Sequence, residues 1–406
     1  MSSENFKNWT ALFSSNFLGV FNDNLLKNGI IFFAIEWSLP PWMTDSQLIT
    51  LASAALIFPY LLLSPLAGNI TTRISKIRIF RFFKLIEIPI MLLAAFAFWQ
   101  KDVYLALLSV TLMGIQSCMY SPSKYSLIRD IGGEHKVAFG SGIFETMSFL
   151  AILSGTIVAS LISDKADINL LLSLFIIVAI AGYLVTRLIK VNELPLLNEQ
   201  ATSNPVSFLV QAYKLAANYP LVNKSIVGAS VFWLVGGMLQ MNIIIHSQHV
   251  YNASNTQTGI VMAVAAIAIA LGCTAAAKIA GKGTGRFLII PGLLVMMVAL
   301  TLLSLTKPSY NIYVCLIFLV AFAGGFLQVP NMATIQKSNS GRKLGDLIAY
   351  LNLTTFIFIL IGTLLFSVTT SLTHDNSFAV FGVILFISFA TFLFFVRNSN
   401  KKHTHE

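Results

Sequence analysis

The stretch LLLSLFIIVAIAGYLV, residues 170–185, contains no charged residue and lies inside a longer apolar run, 168–190. A helix needs about 20 mostly apolar residues to cross the hydrocarbon core of a bilayer. The chain holds twelve such runs, which are continuous rather than alternating, so we predict an all-α integral membrane protein. The runs are 10–36, 47–67, 80–99, 103–122, 139–162, 168–190, 222–247, 256–279, 286–305, 310–331, 344–370 and 376–396.

The overall composition supports this class. Of the 406 residues, 56% are hydrophobic and only 10% are charged, against roughly 25% charged residues in a typical soluble domain. This excludes a soluble globular enzyme, a disordered chain and a nucleic-acid binder. The net charge of +10 therefore needs another explanation.

The sidedness of the cations supplies that explanation. Twenty-one of the 26 Lys and Arg residues fall in one set of connecting segments, and only Lys101, Lys165 and Lys307 fall in the opposite set. Cytoplasmic loops of membrane proteins carry such an excess, so we predict that both termini are cytoplasmic. The first run contains Asp23 and Lys27, so no cleavable signal peptide is expected.

A polar segment divides the twelve runs into two sets of six. We predict an N-terminal six-helix bundle at 1–190, a cytoplasmic linker at 191–221, and a C-terminal six-helix bundle with a short cytoplasmic tail at 222–406. Within the linker, 206–218 is predicted to form an amphipathic surface helix. This arrangement resembles the major facilitator fold, in which the substrate site lies near the midplane between the halves.

The loop after the second run departs from the signature of that superfamily, Gly-x-x-x-Asp-Arg-x-Gly-Arg. Gly68 and Arg73 keep their positions, but Thr72 stands where the acid is expected. The usual pairing at the cytoplasmic gate is therefore expected to be absent or rebuilt. This departure argues against an ordinary proton-coupled drug exporter.

Charged residues inside the first run are the sharpest functional signal. An Asp or Lys at the centre of a membrane helix costs about 2.5–3.5 kcal/mol on insertion scales. Asp23 and Lys27 are one helical turn apart on one face. Either they neutralise each other or pair with another helix, or they contact or gate a polar headgroup. The predicted substrate-binding or gating residues are Asn16, Asn22, Asp23, Asn24, Lys27, Gln240, Asn242 and Gln328.

A second set of charges is predicted to form a network nearer the cytoplasm. It could hold or open that side of the protein, contact the substrate, or couple transport to protons or ions. No phosphate-binding loop, metal-ligand spacing or Gly-x-Ser-x-Gly motif occurs, so we expect no catalytic residue, metal or cofactor and predict that the protein is not an enzyme. The network residues are Arg73, Lys76, Lys84, Glu87, Lys124, Arg129 and Glu145.

Several motifs together resemble one family. They include Phe21-Asn22-Asp23-Asn24-Leu-Leu-Lys27-Asn28, Lys84-Leu-Ile-Glu87, Ser121-Pro122-Ser-Lys124 and Gly324-Gly325-Phe-Leu-Gln-Val-Pro330. The chain resembles the bacterial lysophospholipid transporters of the major facilitator superfamily. It is most similar to the transporter module that some bacteria fuse to an acyltransferase.

The resemblance implies a monomer in the bacterial cytoplasmic (inner) membrane. Such a transporter moves lysophospholipid, for example lysophosphatidylethanolamine, from the outer to the inner leaflet by alternating access, with Asp23 and its Asn neighbours at the headgroup. No His is followed five positions later by Asp, so a separate acyltransferase is expected, or another substrate. The alternative is a proton-coupled facilitator or exporter of a small soluble solute, siderophore or drug.

Overall fold

All regular structure in the described part of the chain is helical. The computed structural model describes residues 3–33, 37, 39–41, 43, 45–164, 167–194, 196, 205–219, 221–374 and 376–397. The helices are α1 (Ser3–Phe33), α2 (Asp45–Arg73), α3 (Lys76–Gln100), α4 (Val103–Gly132), α5 (Val137–Asp164), α6 (Ile168–Thr186), α7 (Pro205–Ala217), α8 (Val222–Tyr251), α9 (Asn255–Ala280), α10 (Ile289–Leu305), α11 (Tyr310–Lys337), α12 (Leu344–Thr373) and α13 (Ser377–Val396).

Each of the twelve apolar runs coincides with a long helix, and α7 lies where the surface helix is predicted. The main difference lies at the helix ends. The helix predicted at 103–122 continues through Pro122 to Gly132, and the helix predicted at 310–331 continues through Pro330 to Lys337. Hydropathy detects only the part of a helix that fits the hydrocarbon core, so polar end turns are missed.

Eleven helices in the described residues are long and apolar enough to cross a membrane. The protein is therefore a multi-pass membrane protein. The long helix outside that set is α1, whose Asp, Lys and Asn side chains lower its mean hydropathy.

Side-chain caps define several helix starts. Asp102 accepts hydrogen bonds from the backbone N–H groups of Tyr104 and Leu105 at the start of α4. Ser254 and Gln257 exchange hydrogen bonds in a capping box at the start of α9. Both caps satisfy backbone donors that the first helical turn leaves without partners.

The described helices group into two compact units. Unit 1 comprises 1–133, 150–218 and 339–353. Its apolar core is formed by α1 to α6, with Met91, Phe98 and Phe175 fully buried at the centre. On the surface helix α7, Phe208 and Ala212 pack against Ala349.

Unit 2 comprises 134–149, 219–338 and 354–406. Its core is formed by α8 to α11 and α13, around the buried side chains Met238, Tyr313 and Phe381. The two halves predicted along the sequence, 1–190 and 222–406 with the linker 191–221, remain a prediction.

Helices α2 and α4 of unit 1 approach closely at Gly114. A Cβ atom at this position would lie 2.7 Å from the Ala55 carbonyl oxygen and 3.0 Å from the Leu56 Cα. Because both neighbours are backbone atoms, the two helices would have to separate. Gly114→Ala is expected to lower the free energy of unfolding by about 1–3 kcal/mol, measured as thermal unfolding in detergent.

Gly236 provides the matched control for this substitution. It lies inside α8, and a Cβ there would meet no atom within 4 Å. Gly236→Ala is expected to leave stability unchanged or slightly raised, because Ala favours the helix over Gly. Equal losses of stability in the two variants would show that the close approach of α2 and α4 at Gly114 is not the cause of the loss.

Candidate functional site

Glu87 of α3 is the centre of a buried polar cluster in unit 1. Its Oε2 lies 2.5 Å from the Lys84 ammonium, and its Oε1 accepts from Asn22 Nδ2 at 3.0 Å. Gln116 Nε2 lies 3.5 Å from Oε2, and Asn22 Nδ2 is also 3.3 Å from the Phe175 carbonyl. The Glu87 carboxylate therefore joins α1, α3 and α4, and Asn22 extends the cluster to α6.

The Lys84 ammonium occupies a slot between two glycines. A Cβ at Gly19 of α1 would lie 2.8 Å from its Nζ, and a Cβ at Gly182 of α6 would lie 3.1 Å away. Both Lys84 and Glu87 are 0% exposed. An ion pair this deeply buried is tolerated only with close contact and additional hydrogen bonds, and both are present here.

Asp23 is bonded on only one side. Its Oδ2 accepts from the Ser117 hydroxyl of α4 at 3.1 Å, and its buried Oδ1 has no hydrogen-bond partner among the described residues. Asp23 and Lys27 are both partly exposed. Within the described part of the chain, no ion pair within 4.0 Å joins them. The two opposite charges therefore lie one turn apart on α1 without neutralising each other by direct contact.

The asparagines of α1 serve different purposes. Asn24 donates to the Val20 carbonyl of its own helix, while Asn28 donates to the Thr156 hydroxyl of α5 at 2.9 Å. Asn16 accepts from the Lys124 ammonium at 3.3 Å. The same ammonium lies 5.1 Å from the centre of the Tyr120 ring, within the range of a cation–π interaction.

The remaining unit 1 charges form a separate cluster at the ends of α2, α3 and α4. Lys76 and Asp130 make a buried ion pair at 2.7 Å. Arg73 is exposed at the end of α2, and Arg129 is partly exposed in the last turns of α4. Glu87 and Lys124 contact polar residues of α1. The single network of seven residues remains a prediction.

Glu193 completes this cluster, although its sequence position gave no functional signal. Its carboxylate accepts from the Ser75 hydroxyl at 2.6 Å and from the backbone N–H groups of Lys76 and Ile77. It also pairs with Arg342 at 2.8 Å. Glu193 thus caps α3 and binds the residue that precedes α12.

Two of the predicted residues of unit 2 are in direct contact. Glu145 accepts from Gln328 Nε2 at 3.3 Å. Gln240 is exposed on α8, whereas Asn242 is buried and donates to the Ser377 carbonyl, a contact that joins α8 to α13. Among the described residues, no group of His, Cys, Asp and Glu side chains could hold a metal ion.

The family model described as Major Facilitator Superfamily matches residues 12–363. The chain belongs to the Major Facilitator Superfamily. A relative from Serratia proteamaculans, named lysophospholipid transporter LplT, is 25% identical over 349 residues, covering 84% of this chain and 83% of the relative. A Shigella flexneri protein of the same name is 27% identical over 354 residues, covering 86% and 85%.

Solved structures of the superfamily share the fold of this member. The human organic anion transporter MFSD10 matches with a TM-score of 0.73 and 13% identity, covering 97% of this chain and 99% of that one. The E. coli fucose:proton symporter FucP matches with a TM-score of 0.73 and 14% identity, covering 95% and 98%. At these identities the likeness concerns the fold alone.

The buried ion pair of this superfamily member can be tested by a double-mutant cycle. Lys84→Met leaves the Glu87 carboxylate buried without its counter-charge and is expected to cost about 3–5 kcal/mol of stability. Glu87→Gln added to Lys84→Met removes that charge but keeps an acceptor for Asn22, so at least half of the loss should return. Additive losses in chemical unfolding would contradict a direct coupling.

Glu193 predicts a pH dependence. Burial raises the pKa of Glu193, but the Ile77 and Lys76 N–H groups, the Ser75 hydroxyl and Arg342 outweigh burial and hold it below its ordinary value of 4.5. Since the folded pKa is the lower one, this carboxylate stabilises the fold above about pH 4.5, and the stabilisation is lost as pH falls toward the folded pKa.

The measurement compares the unfolding temperatures of the wild type and Glu193→Gln at pH 7 and pH 4. The other titrating groups are common to both proteins, so the difference between them isolates Glu193. The wild type should exceed the variant clearly at pH 7 and by less at pH 4. A constant difference would show that the charge of Glu193 does not contribute.

Proposed function

We propose that the protein carries lysophospholipid from the outer to the inner leaflet of the bacterial cytoplasmic membrane by alternating access, without changing the lipid covalently. The observation that carries the proposal is the pair Asp23 and Lys27 on α1, two opposite charges that are partly exposed and not joined by an ion pair. The relatives named lysophospholipid transporters support the substrate class.

A zwitterionic headgroup matches this pair of charges. Lysophosphatidylethanolamine carries a phosphate and an ammonium, which can bind the Lys27 ammonium and the Asp23 carboxylate respectively. Hydrogen bonds to ionised groups contribute about 1.5–3 kcal/mol each, so one lost contact means a loss of roughly tenfold or more. The Oδ1 of Asp23, which is buried and has no hydrogen-bond partner among the described residues, is the acceptor assigned to the substrate ammonium.

Helix α1 also offers apolar contact. Phe17 and Phe21 are partly exposed and stack with ring centres 6.2 Å apart. They lie about two and three turns before Lys27 on the helix. The acyl chain is accommodated beside these rings or in the surrounding lipid.

The cluster at Glu193 and the Lys76–Asp130 pair act as the cytoplasmic gate in this proposal. Thr72 leaves the loop after α2 without its expected acid, and Glu193 provides a carboxylate beside the start of α3. Both termini are cytoplasmic, and the lipid delivered to the inner leaflet is re-acylated by a separate acyltransferase.

The headgroup assignment gives the most direct test. Purified protein in proteoliposomes is offered labelled lysophosphatidylethanolamine or lysophosphatidylglycerol, and inward movement is measured by albumin back-extraction. Asp23→Asn should lower transport of the ethanolamine lipid at least tenfold and affect the glycerol lipid, which has no ammonium, by less than threefold. Lys27→Gln should lower both, because both lipids carry the phosphate.

Two matched controls repeat the chemical changes elsewhere. Asp102→Asn keeps a residue that caps α4 as well as Asp does, and Lys278→Gln removes an exposed cation at the end of α9. Both should transport normally. Wild-type rates for both lipids in both α1 variants would remove Asp23 and Lys27 from the substrate path.

The dependence of transport on the proton gradient distinguishes lysophospholipid transport from the alternative, a proton-coupled facilitator. Transport is expected to continue when the proton gradient is collapsed by a protonophore. If the protein moves no lysophospholipid, and its transport of another substrate falls sharply when the gradient is collapsed, it is instead a proton-coupled facilitator of a soluble solute.

A further inference from the structure

A groove of about 710 Å³ lies in unit 1 between the first turns of α1 and the end of α6. Three cations line it, namely Lys7 from α1 and Arg187 and Lys190 from the segment after α6, and all three are exposed. The acid that lines the groove is Glu4. The rest of the lining is mostly apolar, including the side chains of Phe6 and Leu188.

The segment that carries two of these cations is held by side chains from other helices. Asn8 accepts from the Lys190 N–H at 2.9 Å and donates to the Lys190 carbonyl at 2.7 Å. The Arg81 guanidinium donates to the carbonyls of Thr186 and Ile189 at 3.3 and 2.8 Å. The cations are therefore presented on a fixed backbone.

Arg81 also changes the electrostatics of the groove. The carbonyl groups at the end of α6 carry partial negative charge and would repel an anion. By binding three of them, including the Arg187 carbonyl at 3.4 Å, Arg81 offsets that repulsion. The end of α6 thus becomes compatible with a bound anion.

Apolar side chains accompany the cations along the groove. Ser14 and Val185 also line it, and Ser14 lies seven residues beyond Lys7, about 10 Å along the helix. Exposed Leu184 and Ile177 continue the apolar surface along α6. A phosphate at the cations would place acyl chains along this surface, whereas a free phosphate would leave the apolar floor unused.

We propose that this groove binds one anionic diacyl phospholipid, such as phosphatidylglycerol, from the leaflet that the charge bias predicts to be cytoplasmic. Basic pockets between membrane helices on that side suit anionic headgroups. Lys7 lies sixteen residues before Asp23, about 24 Å along α1. The groove is therefore separate from the charges assigned to transport, and the proposal does not depend on the proposed function.

The test measures lipid retention by the full-length protein. Protein equilibrated with equal amounts of phosphatidylglycerol and phosphatidylethanolamine is released into mild detergent, and bound lipid is counted by native mass spectrometry. The wild type should retain phosphatidylglycerol with at least a tenfold preference. The triple variant Lys7→Gln, Arg187→Gln, Lys190→Gln should lose that preference.

A control triple variant, Lys278→Gln, Lys282→Gln, Arg397→Gln, removes the same charge from exposed cations outside the groove and should retain the preference. An equal loss in the control, or no preference in the wild type, would overturn the proposal, because only general surface charge would then be at work. Both triples must elute as the wild type does in size-exclusion chromatography. If the groove triple alone fails this check, the single variant Arg187→Gln replaces it and should still lower the preference severalfold.

Two further arms identify the occupant. Phe6→Ser with Leu188→Ser removes the apolar floor and should lower phosphatidylglycerol retention severalfold while the cations remain. Excess glycerol phosphate or lysophosphatidylethanolamine should not displace the bound lipid. Displacement by glycerol phosphate would indicate a site for a soluble anion. Displacement by the lysolipid would make the groove part of the transport path. Either result would overturn the proposal.

Discussion

The buried ion pair between Lys84 and Glu87 is the constraint on which much of unit 1 depends. A charge inside the membrane is costly, and pairing with an opposite charge or a polar group lowers that cost. Glu87 finds such partners on α1, α3 and α4. The glycines at 19 and 182 leave the room that the ammonium needs. The ion pair and the close packing of α1, α3 and α6 therefore depend on each other at this point.

The fully hydrogen-bonded Glu87 is also the comparison that shows how Asp23 differs. Both carboxylates lie among the same helices, but Glu87 is fully bonded and fully buried, whereas Asp23 keeps one oxygen without a partner and is partly exposed. A polar atom left in this condition costs free energy unless a ligand or water binds it. The two acids therefore differ, because Glu87 links neighbouring helices whereas Asp23 keeps an acceptor without a partner among the described residues.

Much of the fold could be predicted because the bilayer allows few solutions. A run of apolar residues of sufficient length becomes a helix wherever it occurs, so the twelve long helices follow the twelve runs. The helix ends could not be predicted in the same way, because polar turns such as 123–132 of α4 have no hydropathy signal. The contact between Lys84 and Glu87 could be predicted from their spacing, because residues three apart on a helix lie on one face. The two side chains do form an ion pair.

Contacts between helices required the structure. Asn22, Asp23 and Asn24 are consecutive, so they point to different sides of α1, and the sequence does not show which neighbour each side meets. In the structure Asn22 bonds Glu87 of α3, Asp23 bonds Ser117 of α4, and Asn24 bonds its own helix. A single polar motif thus makes one contact with α3, one with α4 and one within α1.

Glu193 shows why a carboxylate that binds a helix start from a distant segment is hard to find by motif. Thr72 uses its hydroxyl to donate to the Asn69 carbonyl of its own helix, and it carries no negative charge for the cations nearby. The carboxylate beside the start of α3 comes instead from a residue 117 positions beyond Lys76 along the chain. The physical requirement is only an acceptor for the two backbone N–H groups at the start of α3 and a counter-charge for Arg342. Any segment that passes near the start of α3 can supply this acceptor. The sequence position of the carboxylate therefore does not follow from the motif after α2.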